Sequence, residues 1–198
     1  MGLMLIFNRT MRSLRCGVLL TLSFSSIAYA QEIISSQKDL GRTLEHAVMC
    51  KVDALGVVDG SEFSGGPGDA FHQLQALGVG ISVKNEDYSG GIRYHFPDGV
   101  KVFGYDAMDA LYFAESTTLF FVTLRADVKF LGKVNKILGL SPVATGNPDG
   151  YGYVDNIDVR FIRKLREPGV DFPYTIFSGI KNSGGRDYIV VGCQNLAW

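Results

Sequence analysis

The chain reads as an α+β protein in which an antiparallel sheet carries helices packed on one face. Three features predict this. Helix-period segments begin at capping residues and end at Leu-Gly stops, and β-rich runs are joined by tight-turn residues. An even pair of cysteines also remains once an N-terminal export signal is removed.

The export signal comes first. Arg9, Arg12 and Arg15 precede an apolar run over 16–27, no acid occurs before Glu32, and Ala28-Tyr29-Ala30 places small residues where signal peptidase accepts them. Cleavage after Ala30 is therefore expected. A membrane anchor would need about 20 unbroken apolar residues, whereas this run is shorter and interrupted by serines. Met11 could also serve as the start, because 11–30 alone has every part of a signal. Cleavage leaves 168 of the 198 residues, enough for one domain with a core, and takes the formal charge from −1 to −4 with the three arginines. A mildly acidic chain of this kind argues against nucleic acid and against anionic membrane surfaces. No cofactor motif is present, and no membrane anchor is expected after cleavage.

Cys16 leaves with the signal, and Cys50 and Cys193 remain. In an oxidising compartment such a pair is expected to form a disulfide, here tying an N-terminal helix to the last strand.

That helix is predicted over 36–52, opened by Ser35-Ser36 and Asp39, with Leu40, Leu44, Ala47 and Val48 at helical spacing. The glycine-rich stretch around Pro67 reads as a loop. A second helix follows it, with Phe71, Leu74 and Leu77 on one face and Gly78 as its stop. Ile92–Phe96 and Val100–Tyr105, separated by Pro97-Asp98-Gly99, are expected to pair as a hairpin. Ala110–Glu115 and Thr118–Ala126 form the next one. Asp127 caps a third helix whose apolar stripe is Phe130, Leu131, Val134, Ile137 and Leu138, closed by Gly139. Two further hairpins follow, Tyr151–Val154 with Ile157–Leu165 and Thr175–Ile180 with Asp187–Cys193. The segments 66–126 and 127–193 thus show one pattern twice, a helix and then four strands, without sequence identity. One sheet face is expected to be apolar against the helices and the other polar toward water.

Chemistry-bearing residues are sparse. His46, His72 and His95 lack metal-ligand spacing, and no metal site is expected. Asp106 and Asp109 read as turn residues between hairpins. The oxygen-rich loop 147–158 lacks the spacing of a calcium loop, and Ser64–Asp69 lacks the Lys-Ser/Thr ending of a phosphate cradle. Arg160, Lys164 and Arg166 fall at even spacing opposite Val159, Phe161 and Leu165, a basic stripe suited to an acidic protein partner. No catalytic residue is assigned.

The expected function is an exported cell-envelope protein, periplasmic or secreted, that docks another protein as an inhibitor or immunity factor. The alternative is a small-ligand binder or enzyme with a pocket between helices and sheet. For a docking protein the expected contacts are Glu86, Asp87, Tyr88, Asp149, Tyr151 and Tyr153. Tyrosine there supplies large contact area at low entropic cost.

Overall fold

A computed structural model describes residues 34–51, 69–84, 91–114, 117–143, 157–165 and 174–196. Helix α1 spans Gln37–Val48. Its start is local chemistry: the Ser36 hydroxyl accepts the Asp39 amide at 3.1 Å and donates to the Asp39 carboxylate at 2.7 Å. This reciprocal arrangement satisfies an amide that the helix leaves unpaired. The same hydroxyl, with that of Ser35, holds the Asp39 carboxyl below its ordinary range. Helix α2 is Asp69–Ala76, followed by Gly78 at φ +80°.

Among the described residues, nine strands form one antiparallel sheet. They are β1 Gly80–Lys84, β2 Gly91–His95, β3 Lys101–Val102, β4 Tyr105–Ala114, β5 Thr117–Arg125, β6 Ser141–Pro142, β7 Ile157–Leu165, β8 Tyr174–Ser183 and β9 Arg186–Leu196. The order across the sheet is β1-β2-β4-β5-β9-β8-β7-β6, with β3 pairing β4. Counting outward from the central β5–β9 pair, each side carries strands from one half of the chain. A 3-10 turn, Val128–Phe130, leads into helix α3, Leu131–Leu138, which ends at Gly139 in the left-handed conformation.

The helices pack on one face. Leu40, Leu44, Ala47 and Val48 of α1, Leu74 of α2, and Leu131, Val134 and Leu138 of α3 join Phe120, Val122, Ile176, Ile189 and Val191 of the sheet in one core. Cys50, just past the end of α1, is disulfide-bonded to Cys193 of β9 across 143 residues of sequence.

The structure departs from the sequence reading at several points. Ile92–Phe96 does not pair with Val100–Tyr105; β2 and β3 both pair with β4, along different stretches of it. The tight reversal is Phe103-Gly104, at φ 53° and 82°. A two-residue hairpin of this kind needs positive φ at both positions, and phenylalanine rarely supplies it, so the turn was hidden. Asp106 and Asp109 consequently lie within β4 rather than in a connection. Strand β1, Gly80–Lys84, occupies a stretch to which the sequence reading assigns no element. The β8–β9 turn narrows to Gly184-Gly185, both at positive φ. The described strand on the outer side of β7 is β6; Tyr151–Val154 lies outside the described residues.

The sheet's second face is not wholly polar. Leu111, Leu119, Phe121, Ile157, Val159, Phe177 and Val190 form a separate buried apolar cluster there. The central strands carry continuous runs such as Leu119-Phe120-Phe121-Val122 and Ile189-Val190-Val191, the signature of a strand buried on both faces. A bulge at Arg160, between Val159 and Phe161, breaks the alternation of β7. Val159 and Phe161 therefore belong to opposite clusters, and the expected single stripe of Arg160 and Lys164 opposite Val159, Phe161 and Leu165 is not formed.

Candidate functional site

The described surface is most unusual along the outer side of α3. Asp127 starts the preceding 3-10 turn: its carboxylate accepts the Lys129 amide at 2.9 Å and pairs with Lys129 Nζ at 3.1 Å. These contacts, the backbone one first, hold the Asp127 carboxyl below its ordinary range. The inward stripe of α3 is Leu131, Val134, Asn135 and Leu138. Asn135 takes an interior place because its side-chain oxygen accepts the Ser178 hydroxyl of β8. With Asn135 inside, the helix presents Ile137 outward instead.

Phe130 and Ile137, both expected on the buried stripe, are instead 37% and 51% exposed, and they are the exposed large hydrophobic residues among those described. They stand seven residues apart, which is about two helical turns and so nearly the same angular position. Phe130 leans on Tyr105, with ring centroids 5.7 Å apart, and Lys129 Nζ lies 5.2 Å from its ring. Exposed Lys133 and Lys136 complete the surface. The result is an apolar pair framed by three lysines.

Beneath the helix lies a polar seam. Asn135 Nδ2 and Arg163 Nε are buried without an acceptor among the described residues. Arg163 Nη1 sits against the end of α3, only 3.1 Å from where a Cβ at Gly139 would be. Buried donors are normally satisfied, so this end of α3 offers hydrogen-bonding capacity that the described residues leave unused.

The other face holds a second polar group. Asp109 Oδ1 accepts Thr123 Oγ1 at 2.8 Å and pairs with Arg93 Nη1 at 3.4 Å, while Ser82 Oγ lies 3.4 Å from His95 Nε2. Among the described residues no cluster of three or more His, Cys, Asp or Glu side chains is placed to hold a metal ion.

Of the residues picked out from sequence, Cys50 and Cys193 are brought together. Glu86, Asp87, Tyr88, Asp149, Tyr151, Tyr153, Arg166 and the cleavage residue Ala30 lie outside the described residues, as does most of the 147–158 loop. The reading of α3 missed its exposed pair, although Asn135 between Val134 and Leu138 is a signal that part of the inward stripe is polar. No described helix is long and apolar enough to cross a membrane. Compared with known proteins, the chain matches no family model, and no curated protein or solved structure is significantly similar to it.

Proposed function

We propose that this chain is an exported binding protein of the bacterial cell envelope, of the inhibitor or immunity type, and that it docks an acidic partner protein through the outer face of α3. The observation that carries this reading is the pair of exposed anchors, Phe130 and Ile137, framed by Lys129, Lys133 and Lys136. Apolar anchors supply contact energy, and a ring of like charge selects the partner and speeds encounter. A sheet braced by the Cys50–Cys193 disulfide supports the reading, since a rigid platform loses little freedom on binding. The basic N-terminal segment ending at Ala30 is the basis for export and cleavage.

Two finer readings accompany it. The halves 66–126 and 127–193 are a pseudo-repeat, supported by strand orders that mirror each other about β5 and β9. The loops bearing Glu86, Asp87, Tyr88, Asp149, Tyr151 and Tyr153 form the other surface to be tested for contact.

The test is capture of partner from envelope extract on immobilised, oxidised protein, followed by affinity measurement with the purified partner. Ile137→Asp and Lys133→Glu are each expected to weaken binding at least about tenfold, the scale of losing a hot-spot residue. Undiminished binding by both variants would overturn the assignment to α3. If Tyr88→Ala and Tyr151→Ala weaken binding instead, the loops carry the contact.

A further inference from the structure

At the edge where β5 runs into the 3-10 turn, a cleft of about 410 Å³ opens toward the start of β9. It adjoins the α3 surface at Asp127, and its lining includes Arg125, Asp127, Val128, Arg186, Asp187 and Tyr188. The volume is on the scale of small-molecule sites, but the cleft is shallow and open to solvent, so a ligand there stays largely exposed.

The polar groups of this cleft are unequally committed. Asp127 already holds both the amide and the ammonium of Lys129. The Asp187 carboxylate accepts Asn182 Nδ2 at 2.8 Å. Strand alternation along β9 sends Arg186 and Tyr188 to one side and Asp187 to the other. Arg125 reaches Asp98 at 3.4 Å, but Asp98 is 95% exposed, so the contact is a solvated one that a ligand can outcompete. Arg186 makes no side-chain hydrogen bond or ion pair with any described residue. Asp127 is thus paired with a lysine, Asp187 keeps its charge beside a neutral amide, and two guanidiniums and a phenol remain available. Guanidinium presents paired N–H donors that match the oxygens of carboxylate and phosphate. Ala126 and Val128, packed against the helix-side core, also line the cleft, on the side to which Asp187 points.

We propose that this cleft is a binding site for a small organic oxyanion, a carboxylate or phosphate monoester carried on an apolar or aromatic body. Arg186 is the principal anion donor, Arg125 exchanges Asp98 for the ligand, and Tyr188 packs against the body and donates its hydroxyl.

The experiment is an amide-resolved NMR titration of the oxidised protein at about 0.15 M salt, which screens purely long-range attraction. Phenyl phosphate and benzoate are the probes, with benzyl alcohol as the neutral body and inorganic phosphate as the head alone. Saturable shifts confined to residues 125–128 and 186–188 are expected with at least one aromatic anion. Benzyl alcohol and inorganic phosphate are expected to bind at least tenfold more weakly than that anion. Tighter phenyl phosphate assigns a phosphate ester as the ligand class, and tighter benzoate assigns a carboxylate. Arg186→Gln is expected to weaken the better probe at least tenfold and Arg186→Lys less. Arg160→Gln, at the β7 bulge, should leave it unchanged. The amide spectrum of each variant without ligand confirms its fold. Shifts that never saturate, equal binding of benzyl alcohol, or an undiminished Arg186→Gln would each overturn the proposal.

Discussion

Glu45 shows how one side chain on α1 fixes a turn 58 residues away. Its Oε1 accepts the Phe103 amide at 2.6 Å, and Phe103 sits at φ 53°, where a bulky residue is strained. An acceptor bearing charge makes a stronger hydrogen bond than a neutral one, so the carboxylate offsets the strain and holds the β3–β4 reversal. Replacing Glu45 with alanine should cost about 1.5–3 kcal/mol, the range for a hydrogen bond to a charged group. Urea unfolding of the oxidised protein checks this; a loss below about 0.5 kcal/mol would mean the turn holds itself. The contrast with Ser36 and Asp39 shows what sequence can carry. A cap closes over three residues and is written in their spacing, so the start of α1 was legible. The Glu45–Phe103 and Asp109–Thr123 bonds join residues that only the fold brings together, and nothing in their local sequence announces them.

Among the elements, α1, α2, α3 and strands β5, β7, β8 and β9 were legible because periodicity and turn chemistry are local properties, whereas β4 reads as two strands. The two bulges, at Met108 and at Arg160, were not. One inserted residue flips every later side chain to the other face, and this separates Val159 from Phe161. The same limit hid the second apolar face, since a continuous run such as Ile189-Val190-Val191 specifies burial without specifying by what. Strand β9 shows how closely that face is packed. A Cβ at Gly192 would lie 2.5 Å from both the Phe120 carbonyl oxygen and Phe177 Cζ. Neither neighbour has room to move, because Phe120 lies in the adjacent strand and Phe177 is buried. Gly192→Ala is expected to destabilise by about 1–3 kcal/mol, the cost of overpacking a filled core. Thermal unfolding reads this directly, and an unchanged midpoint would show that the Phe177 ring can yield. The candidate surface on α3 was missed for a related reason: an apolar stripe of five residues contained more candidates than the helix can turn inward once Asn135 bonds Ser178.

At the scale of the whole molecule, the disulfide links the end of α1 to the centre of the sheet. Cys193 lies opposite Phe120 of β5 and Ile176 of β8, so the cross-link reaches the strands on both sides of β9. It also restrains Cys50, held at φ 57° by bonds that close the helix end. In the unfolded chain the same bond closes a loop of 143 residues of separation, which chain-entropy arithmetic values at about 4–5 kcal/mol as an upper estimate. The double substitution Cys50→Ser, Cys193→Ser should therefore lower stability by up to that amount. Because the uncross-linked chain exposes more surface on unfolding, the denaturant slope should rise as the midpoint falls. These two readings separate the explanations. A lower midpoint with a steeper slope places the effect in the unfolded chain, as the loop argument requires. A lower midpoint with an unchanged slope places it in the folded state, where releasing Cys50 loosens α1 from the sheet. The second result would also bear on the platform argument for binding. A loosened α1 gives up its hold on the Phe103-Gly104 turn, and Tyr105, against which Phe130 rests, begins the strand that follows it.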